Sequence, residues 1–556
     1  MRIALAQVNP TMGDFQGNLR RISSFIEDAK KNRAKIVVFP ELAVSGYPPQ
    51  DLLYERSFVK ANRAAIEQLA AETDEILVIV GFIEFDEEWR LYNSAALLQD
   101  HKVMAVIHKT LLPTYDVFDE ARYFHPNSRD AIGPLSIKVG KASIKVGIEI
   151  CEDLWDHEYE TKVTDILVER GAQLVINISA SPFHVGKRFE REELLREKAT
   201  KNRIPMFLVN LVGGQDELVF DGQSLVVDAT GETVGVGPQF KEGLLLIDFV
   251  PGKRISMKIE PSQYDKDEEI FNGLALGIRD YFTKTGFQRA VLGLSGGIDS
   301  SVTACIAVEA LGSKNVIGFS MPSKFSTSHS RTDAEQLAQN LGIHLVKFPI
   351  QEIVDSYHRT LERPLSEVRA LFGLDANNDD PVADENLQPR ARGNCLMDFS
   401  SRLKGLKILV LNTGNKTELA LGYCTLYGDM SGGVGALGDV SKLQVYRLAE
   451  YINHRGGREI IPKSVLAKTP SPELREGQFD PFDFSVVSPL VDEIVENRRG
   501  RQELIEMGYP PAVVEDVYGR IRRAEYKRFQ AAPCIKITRK AFGTGWKMPI
   551  VNHYRG

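Results

Sequence analysis

Three residues of different chemistry stand at the ends of apolar runs in the first half of this 556-residue sequence. They are Glu41 in Phe39-Pro40-Glu41-Leu42, Lys109 in His108-Lys109-Thr110-Leu111-Leu112-Pro113, and Cys151 in Gly147-Ile148-Glu149-Ile150-Cys151-Glu152-Asp153. The runs read as strands, and strand ends are where an α/β sheet presents chemistry. A cysteine attacks as a thiolate, and its unperturbed pKa is about 8.5. A carboxylate can take the thiol proton, and an ammonium can stabilise both the thiolate and the oxyanion that follows attack on a carbonyl. Singly, each residue also has a plain structural reading: Cys151 as a small buried hydrophobe, Glu41 as a cap, Lys109 as a solvated charge.

A second constellation lies past the middle of the chain, where Leu294-Ser295-Gly296-Gly297-Ile298-Asp299-Ser300-Ser301 joins a strand pattern to a helix pattern. Glycines let backbone amides approach phosphate oxygens, hydroxyls add donors, and the helix N-terminus favours negative charge. Asp299 would repel phosphate unless a divalent cation sits between them, so its presence points to Mg²⁺. Two other motifs compete on paper. Gly293-Leu294-Ser295-Gly296-Gly297 matches a hydrolase nucleophile elbow but has no clear His and acid partners nearby. Gly433-Val434-Gly435-Ala436-Leu437-Gly438 matches a dinucleotide fingerprint but is expected to be a loop, with no strand before it. The absence of a Gly-x4-Gly-Lys-Ser/Thr motif argues against ordinary γ-phosphoryl transfer.

The elements that must position these residues follow from periodicity. Strands are expected over 3–8, 35–39, 76–85, 94–98, 143–150, 174–179, 206–212 and 225–227, with helices over 17–32 and 187–202 between them. Residues 251–268 read as a linker. Beyond it, Ile270, Leu274, Ile278 and Phe282 make one helix face. Strands at 290–294, 316–320 and 345–350 then alternate with helices at 301–311 and 331–341, each helix closed by a glycine, which implies a doubly wound parallel sheet. The polar, helix-poor stretch 376–387 reads as a mobile loop.

Composition narrows the classes. A net charge of −7 argues against nucleic acid or an acidic membrane as partner. No apolar run reaches the roughly 18 residues of a spanning helix, and the N-terminus reads as a strand rather than a signal segment. Five cysteines without paired spacing exclude a disulfide framework and a Cys-rich zinc site, so a cytoplasmic enzyme of several domains is expected. The sequons at Asn177 and Asn415 then carry no meaning.

The order, spacing and flanks of Glu41, Lys109 and Cys151 resemble the nitrilase, or carbon–nitrogen hydrolase, superfamily across most of residues 1–250. The resemblance implies an αββα sandwich, Glu41 as general base, Lys109 as charge stabiliser and Cys151 as the residue acylated, with Glu120 supporting the lysine. Leu112-Pro113-Thr114-Tyr115-Asp116-Val117-Phe118 and Ser179-Ala180-Ser181-Pro182-Phe183-His184-Val185-Gly186-Lys187 resemble the glutamine-binding segments of the glutaminase branch, which implies substrate contacts at Tyr115, Ser181 and Lys187.

Ser295-Gly296-Gly297-Ile298-Asp299-Ser300 resembles the loop of N-type ATP pyrophosphatases, and segments across nearly all of residues 268–556 resemble NAD synthetases within that superfamily. This resemblance implies ATP contacts from Leu294 through Ser301 and from Thr413 and Lys468. It implies deamido-NAD contacts at Asn386, Glu418, Lys442 and Lys527, and Mg²⁺ held by Asp299 and Glu418. Lys468-Thr469-Pro470-Ser471-Pro472-Glu473-Leu474 departs from the family pattern at Thr469 and Pro472, and Leu490 stands where a tyrosine is usual. Together the two resemblances imply a glutaminase domain (1–250) and a synthetase domain (269–556). Such a chain amidates deamido-NAD with ammonia from glutamine, which calls for a sheltered ammonia route. They also imply a homo-oligomer, octameric in some bacterial relatives. The competing reading is a stand-alone nitrilase-type amidase with a nucleotide-sensing second domain.

Overall fold

A run such as Ile36-Val37-Val38-Phe39, apolar without alternation, needs cover on both faces. The computed structural model, which describes residues 1–139, 142–255, 264–375, 380 and 382–554, supplies that cover. The chain divides into two units, Met1–Tyr264 and Asp265–Gly556.

The strands of the first unit are β1 (Arg2–Gln7), β2 (Ile36–Val38), β3 (Leu77–Phe85), β4 (Leu91–Gln99), β5 (Lys102–His108), β6 (Leu135–Val139), β7 (Ala142–Ile150), β8 (Leu174–Ser179), β9 (Met206–Asn210), β10 (Val212–Gln215), β11 (Leu218–Asp221), β12 (Leu225–Val227), β13 (Thr233–Val236) and β14 (Gly243–Asp248). They form two six-stranded sheets, ordered β14-β1-β2-β3-β4-β5 and β13-β12-β9-β8-β7-β6, and a separate β10-β11 hairpin. The period of two along each strand sorts side chains between layers. Ile3, Leu5, Ile36 and Val38 of one sheet share a core with Ile148, Ile150, Ile176, Ile178 and Phe207 of the other. Their neighbours Ala4, Ala6, Val37 and Phe39 pack outward on Leu19, Ile22, Ile26, Val59 and Ile66 of two helices. On the far side, Val175, Met206 and Leu208 meet Leu194 and Leu195 of the helix Lys187–Asn202. The result is the expected helix–sheet–sheet–helix sandwich.

In the second unit β15 (Arg289–Gly293), β16 (Val316–Ser320), β17 (His344–Lys347), β18 (Ile408–Asn412) and β19 (Val434–Gly435) form a parallel sheet ordered β17-β16-β15-β18-β19. The order reverses between β15 and β18, a topological switch point where open α/β sheets bind ligands. Ile270, Leu274, Ile278 and Phe282 are buried on the helix Lys266–Thr285, and Gly312 and Gly342 close the helices Ile298–Leu311 and Ser328–Leu341 as expected.

Several expectations are corrected. The strand expected over 206–212 ends at Asn210, because Val212 N donates to Val8 O at 3.2 Å and Val212 opens the separate hairpin strand β10. The strand expected to 350 stops at Lys347, since Pro349 has no ladder donor. Of the linker, residues 256–263 lie outside the described residues, and the helix already starts at Lys266, capped by Asp265. Of the loop expected over 376–387, residues 376–379 and 381 lie outside the described residues. Val382 onward is the helix Val382–Arg402, with Asp384 and Glu385 favouring its N-terminal turn. The Gly433–438 segment is no free loop either, for Val434 and Gly435 are buried and pair with β18. No helix among the described residues is long and apolar enough to cross a membrane. All five cysteines are free.

Candidate active sites

Glu41 follows β2 in a turn that lies against β3. Gly81 permits that approach, since a Cβ there would fall 2.3 Å from Leu42 N and 2.5 Å from Pro40 O. Lys109 follows β5, its amide donating to Asn93 O at 2.8 Å. Cys151 directly follows β7 with φ +43°, a left-handed conformation for a non-glycine residue, and opens the short turn Cys151–Leu154. Such a conformation persists only where its surroundings hold it. Asp153 does much of the holding: Oδ2 accepts from Ile150 N at 3.1 Å, and Oδ1 accepts from Thr110 N and Leu111 N at 3.0 and 2.8 Å. One carboxylate thus ties the cysteine turn to the lysine turn.

Lys109 Nζ donates to Glu41 Oε1 at 2.7 Å and to Glu120 Oε1 at 2.9 Å. Glu41 also accepts from Asn93 Nδ2 at 2.7 Å and from Ala180 N at 2.8 Å, and Glu120 from Tyr47 OH at 2.8 Å. All of these side chains are buried. Burial opposes the Lys109 charge, but Glu120 and Glu41 outweigh it and hold the ammonium protonated far above its usual range. Burial raises the Cys151 thiol pKa well above its ordinary value; Glu41 adds to the rise and Lys109 opposes it. Burial and Glu41 thus favour the protonated thiol, and Lys109 favours the thiolate.

Of the expected glutamine contacts, Tyr115 OH donates to Glu152 Oε2 at 3.1 Å, and Tyr159 OH donates to Glu152 Oε1 at 3.1 Å. Burial raises the Glu152 carboxyl to about 7 against those two donors. Ser181 is buried, its amide donating to Asn210 Oδ1 at 2.9 Å. Lys187 Nζ lies 3.9 Å from the Trp155 ring centre and 3.2 Å from Glu190. The residues missed from sequence are Asn93, Tyr47, Glu152 and Asp153. The last two follow Cys151 directly and were within reach of inspection, whereas Asn93 arrives through sheet pairing alone.

In the second unit the switch point opens into a hollow of about 370 Å³. Of the residues expected to bind ATP or dinucleotide, Ser295, Gly297, Ile298, Asp299, Ser300, Asn386, Thr413, Glu418, Lys442, Lys468 and Lys527 all line it. Leu294 lines an adjoining hollow of about 270 Å³ with Phe319, Met321, Arg392 and Leu396; Ser295 and Thr413 face both. Gly296 and Ser301 line neither. Gly296, at φ +77°, presses on the Ser330 backbone, where a Cβ would fall 2.2 Å from the carbonyl oxygen. Ser301 is buried with its hydroxyl donating to Gly297 O at 2.8 Å.

The cations here are held by the protein's own acceptors. Lys442 Nζ donates to Asp299 Oδ2 at 2.6 Å and Glu418 Oε1 at 3.2 Å. Lys527 Nζ donates to Gly422 O and Cys424 O at 2.8 and 2.7 Å. Lys468 Nζ meets Glu473 at 2.6 Å and bonds Ser330 Oγ, and Asn386 Oδ1 accepts from Thr425 Oγ1 at 2.8 Å. Burial raises Glu418 to about 7, with Lys442 opposing. Burial would lower the Lys442 pKa, but Asp299 and Glu418 reverse that. Asn415, missed from sequence, donates from Nδ2 to Asp299 Oδ1 at 2.9 Å, while its Oδ1 accepts from Glu418 N at 3.0 Å. Two carboxylate oxygens converging on one cation beside a phosphate-sized hollow suit a divalent cation, which takes one or two carboxylates plus substrate phosphates.

A thiol, an ammonium and two carboxylates buried at the strand ends of an αββα sandwich define a hydrolase of the carbon-nitrogen class, and the switch-point hollow a nucleotide-handling unit. Residues 2–258 match the carbon-nitrogen hydrolase family model, and residues 270–531 the NAD synthase model. Over the full length, the chain is 40% identical to the glutamine-dependent NAD(+) synthetase of Thermotoga maritima, covering 100% of this chain and 99% of the relative. It is 42% identical to that of Synechocystis, covering 99% of each. A solved glutamine-dependent NAD+ synthetase from Acinetobacter baumannii, in complex with ADP, superposes with a TM-score of 0.77 at 36% identity, covering 99% of this chain and 98% of that one. The chain belongs to the glutamine-dependent NAD(+) synthetase family.

Proposed function

We propose that this enzyme amidates deamido-NAD to NAD with ammonia taken from glutamine, consuming ATP and releasing AMP, pyrophosphate and glutamate. Residues 1–250 are assigned to glutamine hydrolysis and residues 269–556 to synthesis. The observation that carries the reading is Lys109, buried between Glu41 and Glu120 beside Cys151. Glu41 takes the Cys151 proton as sulfur adds to the glutamine carboxamide carbon. Lys109 stabilises the oxyanion. Collapse breaks the C–N bond, the proton passes from Glu41 to the leaving nitrogen, and ammonia departs from a thioester. Water, deprotonated by Glu41, then adds to the thioester; collapse breaks the C–S bond, the Cys151 sulfur takes the proton back from Glu41, and glutamate is released. Tyr115, Ser181 and Lys187 are assigned to binding glutamine, with Glu152 a carboxylate for its α-ammonium.

In the second unit, the nicotinate carboxylate of deamido-NAD attacks the α-phosphorus of ATP and pyrophosphate leaves. Ammonia then adds to the activated carbonyl and AMP leaves. The carboxylate needs this activation because it is otherwise a poor electrophile. The hollow with Phe319, Met321 and Leu396 offers apolar walls suited to a purine, and the Ser295–Ser300 loop offers amides and hydroxyls suited to phosphates. Asp299 and Glu418 would hold Mg²⁺, which supplies charge neutralisation for phosphate oxygens. Lys442, Lys468 and Lys527 bring further positive charge to two anionic substrates. A cytoplasmic homo-oligomer is part of this reading. The exposed stripe Leu361, Leu365, Val368 and Leu371 on the helix Gln351–Phe372 is an apolar surface that self-association would cover.

The test separates the units. Cys151→Ala is expected to abolish glutamine-supported NAD formation and retain ammonia-supported formation, whereas Asp299→Ala abolishes both and spares glutamine hydrolysis. Equal loss of both activities in Cys151→Ala would refute the division of labour.

A further inference from the structure

Lys442 has the backbone of an anchored residue and the side chain of a displaceable one. It is the first residue of the helix Lys442–Arg455, and its amide donates to Thr417 Oγ1 at 3.0 Å. Its ammonium, in contrast, rests on two carboxylate oxygens and lines the 370 Å³ hollow. Asn415 gives those carboxylates a shared frame. Its Nδ2 fixes Asp299 Oδ1 at 2.9 Å, and its amide donates to Glu418 Oε2 at 3.4 Å. Each carboxylate therefore has one oxygen tied to Asn415 and its other oxygen turned to Nζ.

We propose that Lys442 is the resident counter-ion of Asp299 and Glu418, and that a divalent cation enters this site by exchange, displacing the ammonium into the hollow where it meets the anionic acceptor. The charge arithmetic favours exchange over co-occupancy. A divalent cation and an ammonium on the same two oxygens would be like charges within a few ångströms of each other, and such pairs repel where water is largely excluded. Without either cation, Asp299 and Glu418 would be two anions facing each other in a half-buried site, so the lysine keeps the unloaded site intact. Exchange also turns one incoming cation into two that are available to substrate. The metal neutralises phosphate oxygens while Nζ, freed from its carboxylates, faces the acceptor. In the resident position the Phe484 ring lies 5.5 Å from Nζ as a cation–π neighbour. Lys442 is thus a positioning residue toward the metal and a binding residue toward the acceptor, and the two roles alternate.

The inference rests on the reading of Asp299 and Glu418 as the metal pair, and the experiment separates the two claims. Mn²⁺ alone is titrated into nucleotide-free, full-length protein and its binding followed by electron paramagnetic resonance. Lys442→Gln is expected to bind Mn²⁺ about tenfold more tightly than the parent, Lys442→Arg to stay close to the parent, and Asp299→Asn to lose the site. Equal or weaker binding by Lys442→Gln overturns the exchange while leaving the metal pair in place. Absence of a site sensitive to Asp299→Asn in every form overturns the metal reading itself. A second readout uses the unsubstituted protein, in case the Gln variant folds poorly. The acetylation rate at Lys442, read by mass spectrometry, is expected to rise several-fold when Mg²⁺ is added at saturation. An unchanged rate overturns the exchange.

Discussion

Around Lys109 the charged groups already have the partners their chemistry requires. Glu41 is held by Asn93, by the Ala180 amide and by the lysine, and Glu120 by Tyr47 and the lysine, all at 2.7–2.9 Å and all buried. Around Lys442, Lys468 and Lys527 the cations are equally satisfied, but by acceptors that line or adjoin an open hollow: Asp299 and Glu418, Glu473, and the carbonyls of Gly422 and Cys424. The first site keeps its partners fixed through the reaction, as suits a single small substrate and one nucleophile. On the proposal above the second site exchanges partners at Lys442, as suits a hollow whose lysines need counter-ions until a polyanion arrives. Preorganisation lowers the cost of the chemical step, whereas internal counter-ions stabilise the unloaded state.

The largest effect that can break this contrast is Lys109→Met. It leaves Glu41 and Glu120 facing each other without a cation, and loss of one partner from a buried ion pair costs about 3–5 kcal/mol. Denaturant melts of the first unit should show a loss of that size together with abolished glutamine hydrolysis; wild-type stability would mean the ammonium is not fixed as described. Next comes Gly296→Ala. A Cβ 2.2 Å from Ser330 O forces the phosphate-type loop to move. NAD formation from either nitrogen source should fall at least about a hundredfold while glutamine hydrolysis persists, measured as glutamate release.

A pH experiment sharpens the same comparison through Glu149. This carboxyl is buried two residues before Cys151, accepts from Thr164 Oγ1 at 2.6 Å, and has Oε2 unpartnered. Burial raises it to about 8. The folded state thus holds a proton that the unfolded chain releases near 4.5, so this contribution is present below about 4.5 and is lost as pH rises toward 8, then levels off. Glu149→Gln should flatten the stability profile across that window. An identical slope in the variant would show that Glu149 is ionised in the fold. The smallest expected effect is Tyr115→Phe. The loss of one hydroxyl bonded to Glu152 should raise KM for glutamine a few-fold, with kcat nearly constant; a fall in kcat alone would place Tyr115 in the chemical step.

Most of what the sequence made legible was local. The strands ending at Ile150 and Ser179, and the helices closed by Gly312 and Gly342, follow from short-range periodicity and from residues suited to left-handed caps. What escaped was decided by pairing partners far along the chain. Val434 and Gly435 become a strand because β18 stands beside them, and Val382 begins a helix although the polar stretch before it suggests a loop.

The residue types and order alone determined that a thiol, an ammonium and a carboxylate, and later a glycine–serine–aspartate loop, occupy strand ends, because side-chain chemistry and strand periodicity are properties of short segments. Only the tertiary structure decided which partners each charge has. Asn93 reaches Glu41 across paired strands, Asp153 joins two turns, and Lys442 spans 143 residues of sequence to Asp299. Electrostatic partnership depends on distance and burial in space, and neither is written at any single position of the chain.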